Sequence, residues 1–197
     1  MCLLQSVEMT AQPLDSNRFV ETHGERTAAH ARLEPLIGVW SVEKENYLAG
    51  PRPEDPARGL GLVARKEWTP GLGRRFLTDT TFGEFGGQPY VRVGMLGFSV
   101  IDDRYEWNTV DGVNAMMMTY KGDPGTGADD IISMSGVFTH AGGLYPDELI
   151  GASITQRTEI RIGGPDRHVV DIFFAAPGEH EVLADHGVYT RAQSLSQ

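Results

Sequence analysis

The residues that could do chemistry in this chain are few and scattered. They are Arg92 within an apolar run, Asp111 shortly after Trp107, His186 near the end, and three consecutive methionines, Met116 to Met118. Arg92 shares an alternating face with Tyr90 and Leu96, while Val91, Val93 and Met95 take the other face. If the Tyr90 face points inward, Arg92 is a buried cation that needs a carboxylate, because an unpaired one costs several kcal/mol. Asp111, Glu67 and an acidic group on a ligand are the candidates. Asp111 and His186 are also the candidate acid and base for proton transfer in a dry interior. A satisfied hydrogen-bond network is the plainer reading of the same pair.

Other chemistries find no support. The six histidines form no His-x-His and no His-Glu-x-x-His pattern. His180 and His186 would stand about 20 Å apart on a straight strand, at roughly 3.3 Å per residue, too far to share an ion. A single cysteine, Cys2, excludes an internal disulfide and a cysteine-built zinc site. There is no nucleophile elbow or dinucleotide fingerprint, and the glycines from Gly83 to Gly87 lack the lysine and helix of a phosphate cradle. No cofactor and no metal is expected. In a regular strand Met116 and Met118 face one way and Met117 the other, so Met117 joins Trp68 and Trp107 as candidate wall residues of an apolar pocket. Gap-filling in the core is the alternative for the methionines.

These residues must be positioned by strands. After Gly38, runs of five to ten residues recur between explicit turn signals, among them Pro70-Gly71, Gly86-Gly87, Asp102-Asp103, Asp123-Pro124-Gly125 and Gly163-Gly164-Pro165. Nine or ten such runs follow one another, from Trp40–Tyr47 to Glu181–Arg191. Short separators imply sequential hairpins, and a meander of that length protects its edges by closing. The fold class is therefore all-β: an antiparallel up-and-down barrel of eight to ten strands, roomy enough for one small ligand. Before it, Ala29, Leu33 and Leu36 space out a short amphipathic helix over Arg26 to Leu36, ended by Pro35 and Gly38. Residues 1–25 read as a flexible tail and 26–193 as one barrel domain, as 197 residues allow. Two connections, 48–59 and 141–149, are long enough to lie over a mouth.

A net charge of −10, with no dense basic run, argues against nucleic acid and anionic lipid surfaces as partners. The first residues lack a basic, apolar leader and no stretch approaches the roughly 18 apolar residues of a membrane helix, so the cytoplasm is the expected location.

Several short motifs carry a resemblance. Gly38-Val39-Trp40, Lys66-Glu67-Trp68, Arg75-Phe76-Leu77, Gly87-Gln88-Pro89-Tyr90 and Val188-Tyr189-Thr190-Arg191 resemble, in order and spacing, the bacterial domain-of-unknown-function family fifteen-seventy-nine, grouped with the lipocalin-like calycins. The resemblance spans about Leu33 to Arg191. It implies that Trp40 and Arg191 pack as a structural cation–π pair at one end of the barrel. Two departures stand out: Thr109 replaces the family's tryptophan in Trp-x-Asp, with Trp107 two residues earlier and Asp111 retained, and His186 stands where the family often has glutamate.

The leading expectation is a binding protein for a small apolar or amphiphilic molecule, with Trp68, Trp107 and Met117 as wall and Arg92, Asp111 and His186 as polar anchors. The alternatives are an isomerase, cyclase or hydrolase working through Asp111 or His186, and a scaffold with a filled interior. A homodimer is compatible with all three.

Overall fold

The computed structural model describes residues 24–48, 54–113 and 116–192. Most of the expected tail, with Cys2, lies outside the described residues. Ten antiparallel strands close into one barrel: β1 Gly38–Asn46, β2 Ala57–Trp68, β3 Phe76–Phe85, β4 Gln88–Ser99, β5 Arg104–Asp111, β6 Met118–Lys121, β7 Ile132–Thr139, β8 Ser153–Ile162, β9 Arg167–Ala175 and β10 Val182–Arg191. Each strand pairs with its neighbours in sequence, and β1 pairs with both β2 and β10, leaving no free edge. Closure follows from alternation. Leu77, Asp79 and Thr81 on β3, and Tyr90, Arg92, Leu96 and Phe98 on β4, are all buried, whereas Val91, Val93 and Met95 lie exposed on the outer wall. The thinnest seam runs between β6 and β7, where the ladder reduces to the pair Lys121 and Ser135.

One end of the barrel is plugged. The expected helix over Arg26–Leu36 is a single turn, α1 (Ala28–Ala31), followed by a 3-10 turn at Glu34–Leu36. Pro35 occupies the start of that second turn and cannot donate the amide a continuing helix would need. The plug buries Leu33 and Leu36 completely. Tyr105 donates to the Ala29 carbonyl at 2.9 Å, and the Trp40 indole donates to the Leu36 carbonyl at 2.9 Å. The Arg191 guanidinium lies 4.3 Å over the Trp40 ring and donates to the carbonyls of Ile37 and Pro35 at 2.9 and 3.1 Å. Gly38, at φ 139°, makes this possible, since a Cβ there would come within 2.3 Å of the Arg191 Nη1.

Strand direction places both long connections at the opposite end. β2 begins at Ala57, so the first connection is 47–56, shorter than expected, and its residues 49–53 lie outside the described ones; the second spans 140–152 with a 3-10 turn at Asp147–Leu149. Because the plug hangs on Trp40, replacing that ring leaves a cavity between the α1 segment and the barrel. Trp40→Ala should lower the unfolding free energy by about 3 kcal/mol or more in a denaturant melt; an unchanged melt would contradict the plug's dependence on that ring.

Candidate functional site

The interior carries a row of charges. Lys66 follows Leu62 and Ala64 on the inner face of β2 and stands directly opposite Asp79 on β3; Arg92 of β4 stands opposite Thr81, one inward position further along β3. Asp79 Oδ2 lies 3.1 Å from Arg92 Nη2 and 3.8 Å from Lys66 Nζ, all three residues being at most 8% exposed. Thr81 donates to the other oxygen of Asp79 at 3.3 Å. One buried carboxylate is thus shared by two buried cations, an arrangement whose desolvation cost is recovered only through close pairing.

Aromatic rings enclose this row. Lys66 Nζ lies 2.9 Å from His168 Nε2 and 4.4 Å from the Tyr189 ring centroid. His168 stacks on Tyr189 at 4.4 Å and meets the Trp40 ring edge-on at 4.4 Å, which ties the row to the plug. Arg92 donates to the Tyr189 hydroxyl at 3.3 Å and spreads 5.0 Å from the Trp107 ring. Burial pushes Lys66 down to about 8, against the pull of Asp79. Burial, with the charges of Lys66 and Arg191, pushes His168 down to about 2, so the imidazole is neutral and its Nε2 can accept from the lysine. Burial also works against the charge of Arg92, but Tyr189 and Asp79 outweigh it and the guanidinium stays ionised.

Across the barrel, Gln156 of β8 donates to the Tyr120 hydroxyl of β6 at 2.7 Å, and Tyr120 is pushed up to about 12 by burial. Several polar atoms of these walls are buried without a hydrogen-bond partner among the described residues: Arg92 Nε, Trp107 Nε1, Gln156 Oε1, Thr158 Oγ1 and His168 Nδ1. Trp107 lies against the wall at Gly94, where an added Cβ would come within 2.6 Å of Nε1. Nearer the mouth, Lys44 pairs with Asp185 at 2.7 Å beside the rings of Phe85 and Tyr90.

The residues singled out by sequence divide sharply. Arg92, Trp107 and Asp111 take inward positions of β4 and β5, with Asp111 half-buried at the strand end, directly across from Arg92. Asp111 accepts from the Val113 amide at 2.8 Å. The carboxylate found beside Arg92 is Asp79, which sequence reasoning did not name, while Glu67 lies exposed on the outer wall. Trp68 is inward but sits at the plugged end, donating to Glu34 at 3.3 Å under the guanidiniums of Arg26 and Arg74, so it braces the plug rather than a pocket wall.

Met117 and His186 are corrections. Met117 is 71% exposed on the outer wall, because inward Met118 and Tyr120 fix the alternation of β6. His186 also faces outward, with Nδ1 2.5 Å from Asp171 Oδ1 and Glu45 opposite it on β1. Asp171 is shared in turn with Arg161. Counting back from inward Tyr189 by twos reaches Asp185, not His186, so His186 and Asp111 lie on opposite faces and form no acid–base pair. The same count would have found Lys66, two residues beyond Ala64, and Asp79, two beyond Leu77.

The neutral His168 has a readable consequence. Below about pH 6.5 the unfolded chain's histidine takes up a proton that the folded one refuses down to about 2. The unfolded state then binds more protons, so stability falls as pH falls. Chemical-denaturation midpoints measured between about pH 6.5 and pH 4 should fall less steeply in His168→Asn than in the unsubstituted protein; equal slopes would contradict a buried neutral imidazole.

Comparison with known proteins locates the chain. No curated protein matches it. A crystal structure of Rv2717c from M. tuberculosis aligns with a TM-score of 0.53 at 19% identity, covering 86% of this chain and 100% of that one, which is a likeness of fold. Two others align more loosely: the S-type phycobiliprotein lyase CPES from Guillardia theta, with a TM-score of 0.47, 11% identity and coverage of 92% and 99%, and EF1p2_mFAP2b bound to DFHBI, with 0.39, 11%, 84% and 100%. Residues 25–191 match the model of the family described as protein of unknown function (DUF1579), and the chain belongs to that family.

Proposed function

We propose that this barrel binds one small, mainly apolar molecule in its interior, with a polar group of that molecule lodged among Arg92, Trp107, Gln156 and Thr158. The observation that carries the reading is the set of buried polar atoms on these four side chains that have no hydrogen-bond partner among the described residues. Each such atom costs roughly 1–3 kcal/mol when left unmade. Native interiors hold few of them, and those they keep call for an explanation. Here they come from β4 and β5 on one side and β8 on the other. A guest with one polar end would satisfy several at once.

The rest of the lining suits an apolar body. Tyr90, Leu96, Phe98, Ile154, Ile172 and Phe174 are all buried inward residues. A concave apolar surface with a few convergent polar groups is the general form of a small-molecule site. The end opposite the plug, where Lys44, Asp185 and the connection 140–152 stand, is the natural entrance.

Native mass spectrometry of freshly purified protein tests this reading. A non-covalent adduct of a few hundred daltons is expected on the intact chain, and it should be lost or much reduced in Arg92→Met. A clean apo mass, together with no thermal shift across a panel of lipids and hydrophobic metabolites, would overturn the proposal.

A further inference from the structure

The polar anchors of the interior are not a neutral set. In the deep row Lys66 and Arg92 face a single carboxylate, Asp79, so the fixed charges sum to one positive charge when the lysine is protonated. Lys44 is already paired with Asp185, and Asp111, half-exposed at the end of β5, accepts from the Val113 amide. Two of the unpartnered atoms are obligate donors: Arg92 Nε–H and the Trp107 indole N–H. Both side chains are more than nine-tenths buried, and the guanidinium carbon lies 5.0 Å from the indole ring. Gly94, the next inward position after Arg92 on β4, is where the indole nitrogen comes to the wall, so both N–H groups lie along the same inner face.

From this we infer that the molecule held in the barrel is a monoanionic acid, its carboxylate accepting from Arg92 Nε–H and Trp107 Nε1–H. The inference rests on the binding reading above and names the ligand's chemical class. A carboxylate supplies the missing acceptors, and hydrogen bonds to a charged partner are the stronger kind. Its single charge matches the surplus of the row. A phosphate dianion would exceed it. An ammonium ligand would face two cations for one carboxylate and could not accept from the Arg92 and Trp107 N–H groups.

The test compares matched probes on the full chain: straight-chain and aryl carboxylic acids against the primary amides, the primary amines and the phosphate monoesters of the same skeletons, by titration calorimetry and thermal shift. The acids should bind at least about tenfold more tightly than the amides. Trp107→Phe keeps the ring and removes one N–H. It should weaken the acids by about tenfold, as losing a hydrogen bond to a charged group does, and weaken the amides less, since their carbonyl loses only a neutral one. Amides binding as well as acids, or amines or phosphate monoesters binding better, would overturn the acid assignment while leaving the binding reading intact. An acid affinity unchanged by Trp107→Phe would overturn the placement of the carboxylate. Failure of every probe, charged or neutral, would sink both.

Discussion

The interior of this protein is organised by one shared carboxylate. Asp79 holds Arg92 at 3.1 Å and Lys66 at 3.8 Å inside a barrel whose wall removes nearly all solvent from the three groups. Charges cannot stay there unpaired, so the positions of β2, β3 and β4 relative to one another are tied to that contact. Around it, Tyr189 and His168 offer a hydroxyl, a ring face and a neutral imidazole nitrogen, each satisfying part of what the two cations demand. His168 then hands the constraint to Trp40, and through Trp40 and Arg191 to the plug. Electrostatics in the middle and packing at the closed end are one connected structure.

The barrel's two walls are used differently. Inside, the polar groups are few, buried and incompletely satisfied. Outside, β8 to β10 carry a ladder in which Glu181, Arg157, Glu159, Arg161 and the buried Asp171 follow one another as ion pairs, with His186 hydrogen-bonded to Asp171 at its end. The more exposed pairs among them, such as Arg157 with Glu181, contribute little individually to stability. The interior set differs because each unsatisfied atom there is costly, and that cost is the physical reason to look for a guest inside rather than a site on the surface.

Much of the fold was legible in the sequence because turn chemistry and period-two alternation are local signals. The turn clusters Gly86-Gly87 and Asp102-Asp103 each fall between paired strands, and the Tyr90–Leu96 face does point inward. What was not legible was cross-strand pairing. Arg92 was recognisable as a buried cation, but its partner lies thirteen positions away on the preceding strand, chosen by register and not by spacing. His186 was misplaced for a related reason: its apparent kinship with Asp111 ignored the face on which Tyr189 had already set β10, and the shift between Leu183 and Asp185 blurred the count from the other direction. The plug was visible only as an amphipathic stretch, since the proline that splits it also hides its true shape.

The central claim is that the unsatisfied interior, and Trp107 in particular, is where a guest makes contact. The three indole N–H groups of this chain report on it separately: Trp40 donates to Leu36, Trp68 donates to Glu34, and Trp107 has no partner among the described residues. In a nitrogen–proton correlation spectrum recorded during titration with a carboxylic acid, the Trp107 indole resonance should move downfield as its proton gains an acceptor, while those of Trp40 and Trp68 stay in place. A Trp107 resonance that does not respond to a binding acid, or a response confined to Trp68 at the plugged end, would contradict the account.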